Sequence, residues 1–385
     1  MIEREQVWDV LKSYGSDAVT IGVLASHSAL DVCDGAVDEG FRTLTLCEEG
    51  REEPYTRYFK AERDAKGRVL RGVVDEAIVL TKFREAISQE VQDRLRRKRV
   101  LFVPNRSFVS YVGLVEVEDD FGLPMVGSRN LMRSEERTEE RGYYWILEKA
   151  RLPYPRRFRS PDEIDSLAIV KLPHRVKRLE RGFFTAASHE EYEEKSERLL
   201  EGGVITSEDL AAARMEKYIL GPVFNFDFFY SPLDGIGEPL ELLGIDWRFE
   251  TSLDGHVRLP AEQQLTLQGE ERDPEYVVTG HNSATLRESL LRKVFPLAER
   301  YVEATQLYFP PGVIGPFTLQ TCVDKDLNFS IYDVSPRIGG GTNVHMAVGH
   351  PYGNVLWRSR MSTGRRVAME IRRAQEWGQV DRIVT

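Results

Sequence analysis

Apolar residues follow three rhythms along this chain, and each rhythm predicts a different kind of element. Residues 21–25, Ile-Gly-Val-Leu-Ala, are apolar throughout, as in a strand buried on both faces. Ser26-His27-Ser28 then opens a helix whose apolar positions Leu30, Cys33 and Val37 share one face, and Gly40 stops it. Residues 41–47 read as the next strand. That order is a parallel βαβ unit, which puts Ser26 to Ser28 at the carboxyl edge of a sheet, where ligands bind. Strands predicted at 73–80 and 100–103 extend the sheet. The second of them runs into Pro104-Asn105-Arg106-Ser107-Phe108, another loop at the same edge.

Beyond Gly127 the rhythm changes. A charged helix is expected over about 135–149, followed by a proline- and arginine-rich link at 153–159 and short strands at 168–172 and 183–187. Ser188-His189-Glu190-Glu191 has the spacing of a capping box, opening a helix to about residue 201, and 215–220 is a strand closed by Gly221-Pro222. From residue 223 the strands lengthen, to 223–230, 240–245 and 317–323. One long helix carries Leu286, Leu290, Val294, Leu297 and Tyr301 on a single face. The chain therefore divides into units at 1–128, 129–221 and 222–385: an α/β class with a parallel N-terminal sheet and α+β character in the rest.

Composition narrows the function classes. At 385 residues, with 41% hydrophobic and 30% charged residues, the chain has the make-up of a folded globular protein. A net charge of -10 argues against a broad nucleic-acid surface; the basic run Arg94, Arg96, Arg97, Lys98, Arg99 reads as a solvated helix end. No apolar run approaches the ~20 residues of a membrane span. Cys33, Cys47 and Cys322 form no CxxC pair, which fits a reducing cytoplasm, and the seven histidines lack zinc-binding spacing.

Candidate chemistry concentrates in residues 324–343. Asp333-Val334-Ser335-Pro336-Arg337 leads into Gly339-Gly340-Gly341-Thr342-Asn343, which joins an acid suited to a divalent cation, an arginine suited to phosphate oxygens, and glycines with free backbone N–H groups. A buried Arg-Asp pair followed by a turn is the competing reading. If the preceding hairpin turns at Lys325-Asp326-Leu327, Gln320 falls opposite Asp333 on one sheet face. That pair is either a Mg²⁺ seat or a polar cross-strand contact.

Several motifs carry a resemblance: Ala25-Ser26-His27-Ser28-Ala29-Leu30, Val170-Lys171-Leu172-Pro173, Gly315-Pro316-Phe317, Gly341-Thr342-Asn343 and Met361-Ser362-Thr363-Gly364-Arg365-Arg366. Together, and in this order over residues 21–374, they resemble the archaeal formate-dependent phosphoribosylaminoimidazolecarboxamide ligases of purine synthesis, members of the ATP-grasp superfamily. The resemblance implies an ATP-grasp fold behind an N-terminal parallel-sheet domain. It also implies ATP and Mg²⁺ at the cleft between the last two domains, formate and aminoimidazolecarboxamide ribonucleotide as the other substrates, and a homo-oligomer, trimer or hexamer. It assigns His27, Ser107 and Ser252 to the ribonucleotide, Lys171, Arg181, Gly182, Glu216 and Tyr218 to ATP, Gln320 and Asp333 to the metal, and a catalytic role to Arg337.

Four features depart from the family's pattern. Gln320 and Asp333 stand where the family has glutamates, so magnesium should bind more weakly. Asn105-Arg106 replaces a histidine and glycine before Ser107. Residues 174–180 lack the glycines that let backbone approach phosphate, and Ser252 takes the place of an asparagine. These departures keep two further readings open: an ATP-grasp paralogue using another acid or acceptor, and a non-catalytic nucleotide-binding subunit.

Overall fold

The computed structural model describes residues 2–15, 18–136, 139–173, 182–235, 237–250, 253–268, 271 and 277–385. Strands β1 (Thr20–Leu24) and β2 (Arg42–Glu48) pair in parallel, with the helix Ala29–Asp38 between them. After a small ribbon of β3 (Glu62–Arg63) and β4 (Val69–Arg71), β5 (Glu76–Leu80) and β6 (Val100–Val103) complete a parallel sheet in the order β5-β2-β1-β6. The order reverses between β1 and β6. Their two following loops, at 26–28 and 104–107, therefore face each other across the crevice of a topological switch point.

The middle sheet is antiparallel, β7 (Arg157–Phe158), β10 (Arg214–Lys217), β8 (Ala168–Lys171) and β9 (Phe183–Ala186) in spatial order. The helix His189–Glu201 packs beside β9. Ser188 caps it by accepting from the Glu191 N–H at 3.2 Å, and the Glu191 carboxylate returns to the Ala187 N–H at 2.6 Å. β10 ends at Lys217, earlier than the alternation suggested, although the Tyr218 N–H still reaches the Leu167 carbonyl at 2.8 Å. The charged helix expected over 135–149 is shorter too, Tyr143–Lys149, preceded by a 3₁₀ turn Asn130–Glu135. Its proposed first residue, Glu135, is drawn away by Arg337.

The third sheet is antiparallel, in the order β13 (Val278–Ala284), β12 (Leu240–Glu250), β11 (Val223–Tyr230), β14 (Gly315–Val323) and β15 (Phe329–Ser335). On one face Phe226, Phe228, Phe317, Leu319 and Ile331 pack with Leu290, Val294, Leu297 and Tyr301 of the helix Glu288–Tyr308. Each such buried side chain contributes about 1.5–3 kcal/mol. The opposite face is polar. β12 extends to Glu250, past the end of its apolar run, because Asp246 and Arg248 alternate onto that polar face.

The end of the chain returns to the first sheet. The helix Thr363–Glu376 crosses Ala29–Asp38 at a backbone-to-backbone contact: a Cβ on Gly35 would lie 2.1 Å from the Arg365 nitrogen, and one on Gly364 would lie 2.0 Å from the Asp31 carbonyl oxygen. The Gly364 N–H donates to the Asp31 carboxylate at 2.9 Å. Thr385 pairs with Met125 through both backbone groups. The Met361–Arg366 motif thus locks the first and last units together, and with them the loops at the sheet edge.

Candidate active site

Three backbone segments meet at the carboxyl edge of the first sheet. Asn105 caps the helix Arg106–Val112 and donates through Nδ2 to the Leu24 and His27 carbonyls at 2.9 and 3.0 Å, which ties the second edge loop to the first. Ser107 Oγ donates to Ser26 Oγ at 2.8 Å. Ser28, in the left-handed region at φ 62°, donates its hydroxyl to the Gly339 carbonyl. The glycine run is thereby strapped to both loops. A Cβ on Gly340 would lie 3.6 Å from His27 Nδ1, so the exposed His27 imidazole lies alongside the run. His27 and Ser107, placed on the ribonucleotide side by resemblance, do share one crevice.

The glycine run also covers the polar face of the third sheet. Direct cross-strand pairing puts Asn225 beside Gln320, Gln320 beside Asp333, Asp246 beside Asn225, and Arg248 beside His281. Alternation adds Asp227 and Thr318 to the same row. A Cβ on Gly339 would come within 2.7 Å of Thr318 Oγ1, and one on Gly341 within 2.4 Å of Asp246 Oδ1. Only glycine permits this approach.

Gln320 does stand opposite Asp333, but not by a symmetric register: Thr321, Cys322 and Val323 pair with Ile331, Ser330 and Phe329, and a β-bulge between Gln320 and Thr321 shifts the partner from Tyr332 to Asp333. Gln320 Nε2 donates to Asp333 Oδ2 at 3.1 Å, while Gln320 Oε1 accepts from the half-buried Arg248 guanidinium. Asp333 Oδ1 accepts from the Val334 N–H at 2.9 Å. Arg337 lies at the far end of the turn, buried, with Nη1 donating to the Ile338 carbonyl at 2.7 Å, Nη2 paired with Glu135, and Nε without a protein partner. Arg106 pairs with Glu136 at 2.8 Å and sits 3.8 Å from Glu135. It joins the Arg337 network at the rim of a narrow cleft lined by Val103, Pro104, Gly127, Ser128 and Pro316.

A second cluster forms where the middle sheet meets β15. Lys171 Nζ, buried, contacts Glu216 Oε2 at 2.8 Å and donates to the Tyr144 hydroxyl at 2.6 Å and the Tyr332 carbonyl at 3.3 Å. Arg214 also pairs with Glu216 and stacks over the Tyr144 ring at 3.6 Å. Burial would raise the Glu216 carboxyl, but the charges of Lys171 and Arg214 outweigh it and hold the group below its usual range. The Tyr332 carbonyl is one residue from Asp333, so the lysine cluster and the hairpin pair form one continuous site.

Of the residues assigned by resemblance, Lys171, Glu216, Gln320, Asp333, Arg337, His27 and Ser107 are brought to this cleft. Gly182 accepts from the Leu172 N–H at 2.7 Å beside it, and Tyr218 follows β10. Arg181, Ser252 and the loop 174–180 lie outside the described residues. Sequence reasoning missed Tyr144, Glu135, Asp246, Arg248 and His281. The alternation Asn225/Asp227, Asp246/Arg248 and His281/Ser283 on long strands was a usable sign of a buried polar face.

The three sheets and the cleft between the last two define the ATP-grasp class of ligases. Solved structures agree: the IMP biosynthesis protein PurP from Thermococcus kodakaraensis superposes with a TM-score of 0.69 at 28% identity, covering 95% of this chain and 100% of that one. An ADP complex of N5-carboxyaminoimidazole ribonucleotide synthetase shares the fold at a TM-score of 0.55 and 12% identity, covering 90% of this chain and 78% of that one. Two sequence profiles match, a protein of unknown function (DUF1246) over residues 21–158 and a domain of unknown function (DUF1297) over residues 191–385. Curated relatives named 5-formaminoimidazole-4-carboxamide-1-(beta)-D-ribofuranosyl 5'-monophosphate synthetase are 41% identical in Methanopyrus kandleri, over 100% of both chains. In Methanothermobacter thermautotrophicus identity is 40%, over 100% of this chain and 99% of that one. The chain belongs to this synthetase family.

Proposed function

We propose that this chain joins formate to the amine of aminoimidazolecarboxamide ribonucleotide at the expense of ATP, giving the formamido ribonucleotide, ADP and phosphate. The observation that carries the reading is the glycine run, strapped at Ser28 to the ribonucleotide-side loops and lying directly on the polar sheet face that ends in Asp333. One short segment links the two substrate positions.

Formate is a poor acyl donor until a phosphoryl group turns it into a mixed anhydride, formyl phosphate. Phosphoryl transfer depends on positioning and charge more than on covalent participation by the protein. Lys171, released from Glu216, is placed to reach the phosphates. Arg337 lines a narrow cleft and its Nε has no partner among the described residues; an arginine there can pair with formate and then with the anhydride. Closing the cleft over the anhydride protects it from hydrolysis.

The donor set fits a weakly held divalent ion. Asp333 would hold Mg²⁺ together with substrate phosphate oxygens, a usual arrangement for this ion, while Gln320 brings no charge and has its carbonyl engaged by Arg248. Such an ion would screen the phosphate charge and align the transferring group. Gln320→Glu supplies a second carboxylate, so the Mg²⁺ concentration for half-maximal ADP release should fall by about tenfold. An unchanged Mg²⁺ dependence would argue that the hairpin pair does not bind the ion.

ADP release, followed with formate and the ribonucleotide each omitted in turn, tests the activity. Turnover should need both. ADP release indifferent to formate would favour another acid, and no release under any substrate set would favour a non-catalytic nucleotide-binding subunit.

A further inference from the structure

His281 forms a hydrogen-bonded pair with Asp246 that the assignments above leave without a role. Its Nδ1 lies 2.7 Å from Asp246 Oδ1, with the carboxylate at 1% exposure and the imidazole at 16%. The pair therefore has a buried anchor and an accessible tip. Asn225 Nδ2 donates to the same carboxylate oxygen at 2.8 Å. Burial would raise the Asp246 carboxyl, yet the His281 hydrogen bond and charge, with Asn225 and Arg248, hold it below the usual range. An ionised Asp246 fixes the imidazole with its proton on Nδ1, which leaves the Nε2 lone pair free to accept a proton.

The position of the pair matters as much as its geometry. A Cβ on Gly341 would lie 2.5 Å from His281 Nδ1, just as one on Gly340 would lie 3.6 Å from His27 Nδ1. Two imidazoles thus flank neighbouring residues of the glycine run. On the other side His281 is the direct cross-strand partner of Arg248, whose guanidinium leads through Gln320 to Asp333. His281 sits between the ribonucleotide-side loop and the phosphate end of the site, where amine and activated formyl group must meet.

Other titratable groups nearby do not suit the task. His345 and His350 stack with ring centroids 3.7 Å apart and are buried, their Nε2 atoms engaged by Ser283 and Thr363. Burial pulls His345 down to about 4 and His350 well below its ordinary value. Asp227, on β11, is pushed up by burial and by the adjacent Asp246. Of the other charged side chains of β12, Arg248 and Glu250 are not imidazole-like bases, and Glu241 is buried and paired with Arg366.

We propose that His281, oriented by Asp246, is the general base for formyl transfer. The inference rests on the formyl-ligase reading above. The amine nitrogen bonds to the formyl carbon, the bond from that carbon to the phosphate oxygen breaks, and phosphate leaves with the electron pair. The proton shed by the nitrogen passes to His281 Nε2 and from there to solvent. An aromatic amine becomes strongly acidic only as the new C–N bond forms, and an imidazole has the basicity to take that proton near neutral pH.

The test separates formation of the anhydride from its use. With hydroxylamine in place of the ribonucleotide, an activated formyl group is trapped as formohydroxamate without help from a protein base. His281→Gln should keep formate-dependent hydroxamate formation within about threefold while formamido product formation falls by about 10²–10⁴-fold. Asp246→Asn should weaken product formation in the same selective way, and exogenous imidazole should partly rescue His281→Ala. Equal loss of hydroxamate and product, or unchanged product formation in His281→Gln, would overturn the assignment. If the unsubstituted protein forms no hydroxamate from ATP and formate, it is the underlying ligase reading that fails.

Discussion

Asp333→Asn is expected to lower formate-dependent ADP release at least about 100-fold while leaving the fold intact. Asp333 is the single carboxylate of the hairpin pair, and it stands one residue from the Tyr332 carbonyl that Lys171 touches. Asparagine preserves size and one acceptor oxygen, so the Val334 and Gln320 contacts can persist in altered form. What it removes is the negative charge that would hold a cation over the phosphates, and loss of the one carboxylate of the hairpin pair should be felt almost entirely in turnover. Thermal melts of the two proteins should coincide within a few degrees, because the residue is only half-buried. A melt displaced far downward alongside the lost turnover would make Asp333 a structural residue and remove the metal reading.

Glu216→Ala is expected to act the other way round, on stability first. The Glu216 side chain is fully buried between Lys171 and Arg214 and accepts from the Tyr144 hydroxyl at 2.6 Å. Removing it strands two cations where water reaches poorly, and breaking a buried ion pair in this way costs about 3–5 kcal/mol. The pH dependence has a definite sign. The folded carboxyl lies below its unfolded value of about 4.3, so its stabilisation is fully present above that pH and is lost as pH falls through the folded value. Denaturant unfolding at a series of pH values should show this acid-side loss in the parent protein and a reduced dependence in Glu216→Gln. A Glu216→Ala protein that melts like its parent would mean the cluster is solvated and the cations already relaxed.

The hairpin explains why these two neighbouring parts of one cleft respond differently. Asp333 lies half-buried on the edge strand β15, whereas Glu216 lies on a strand flanked on both sides and is fully buried among Lys171, Arg214 and Tyr144. On the reading proposed above, ATP binding would have Lys171 exchange Glu216 for phosphate.

Much of this arrangement follows from the sequence itself. The period of the apolar residues gave the first βαβ unit, the long helix Glu288–Tyr308 and the β14–β15 hairpin within a few residues, since burial of one face is a local property repeated along the chain. The hairpin itself was legible, but the pairing of Gln320 with Asp333 depends on a β-bulge between Gln320 and Thr321, because the register set at the turn would have put Tyr332 opposite Gln320. Ordered motifs identified the family, and the resemblance offered His27, Ser107, Lys171, Glu216 and Arg337 as candidates. The tertiary structure alone decided what those groups touch. Gln320 is held by Arg248 from a strand more than seventy positions away, Lys171 by Glu216 and Tyr144 from different elements, and Asp246 by His281 across two strands. The Gly364 motif proved to be a helix crossing. Polar partners of this kind are chosen by chain topology, and no local period records which distant donor will satisfy a buried acceptor, because that pairing is set only when sheets and helices close over it.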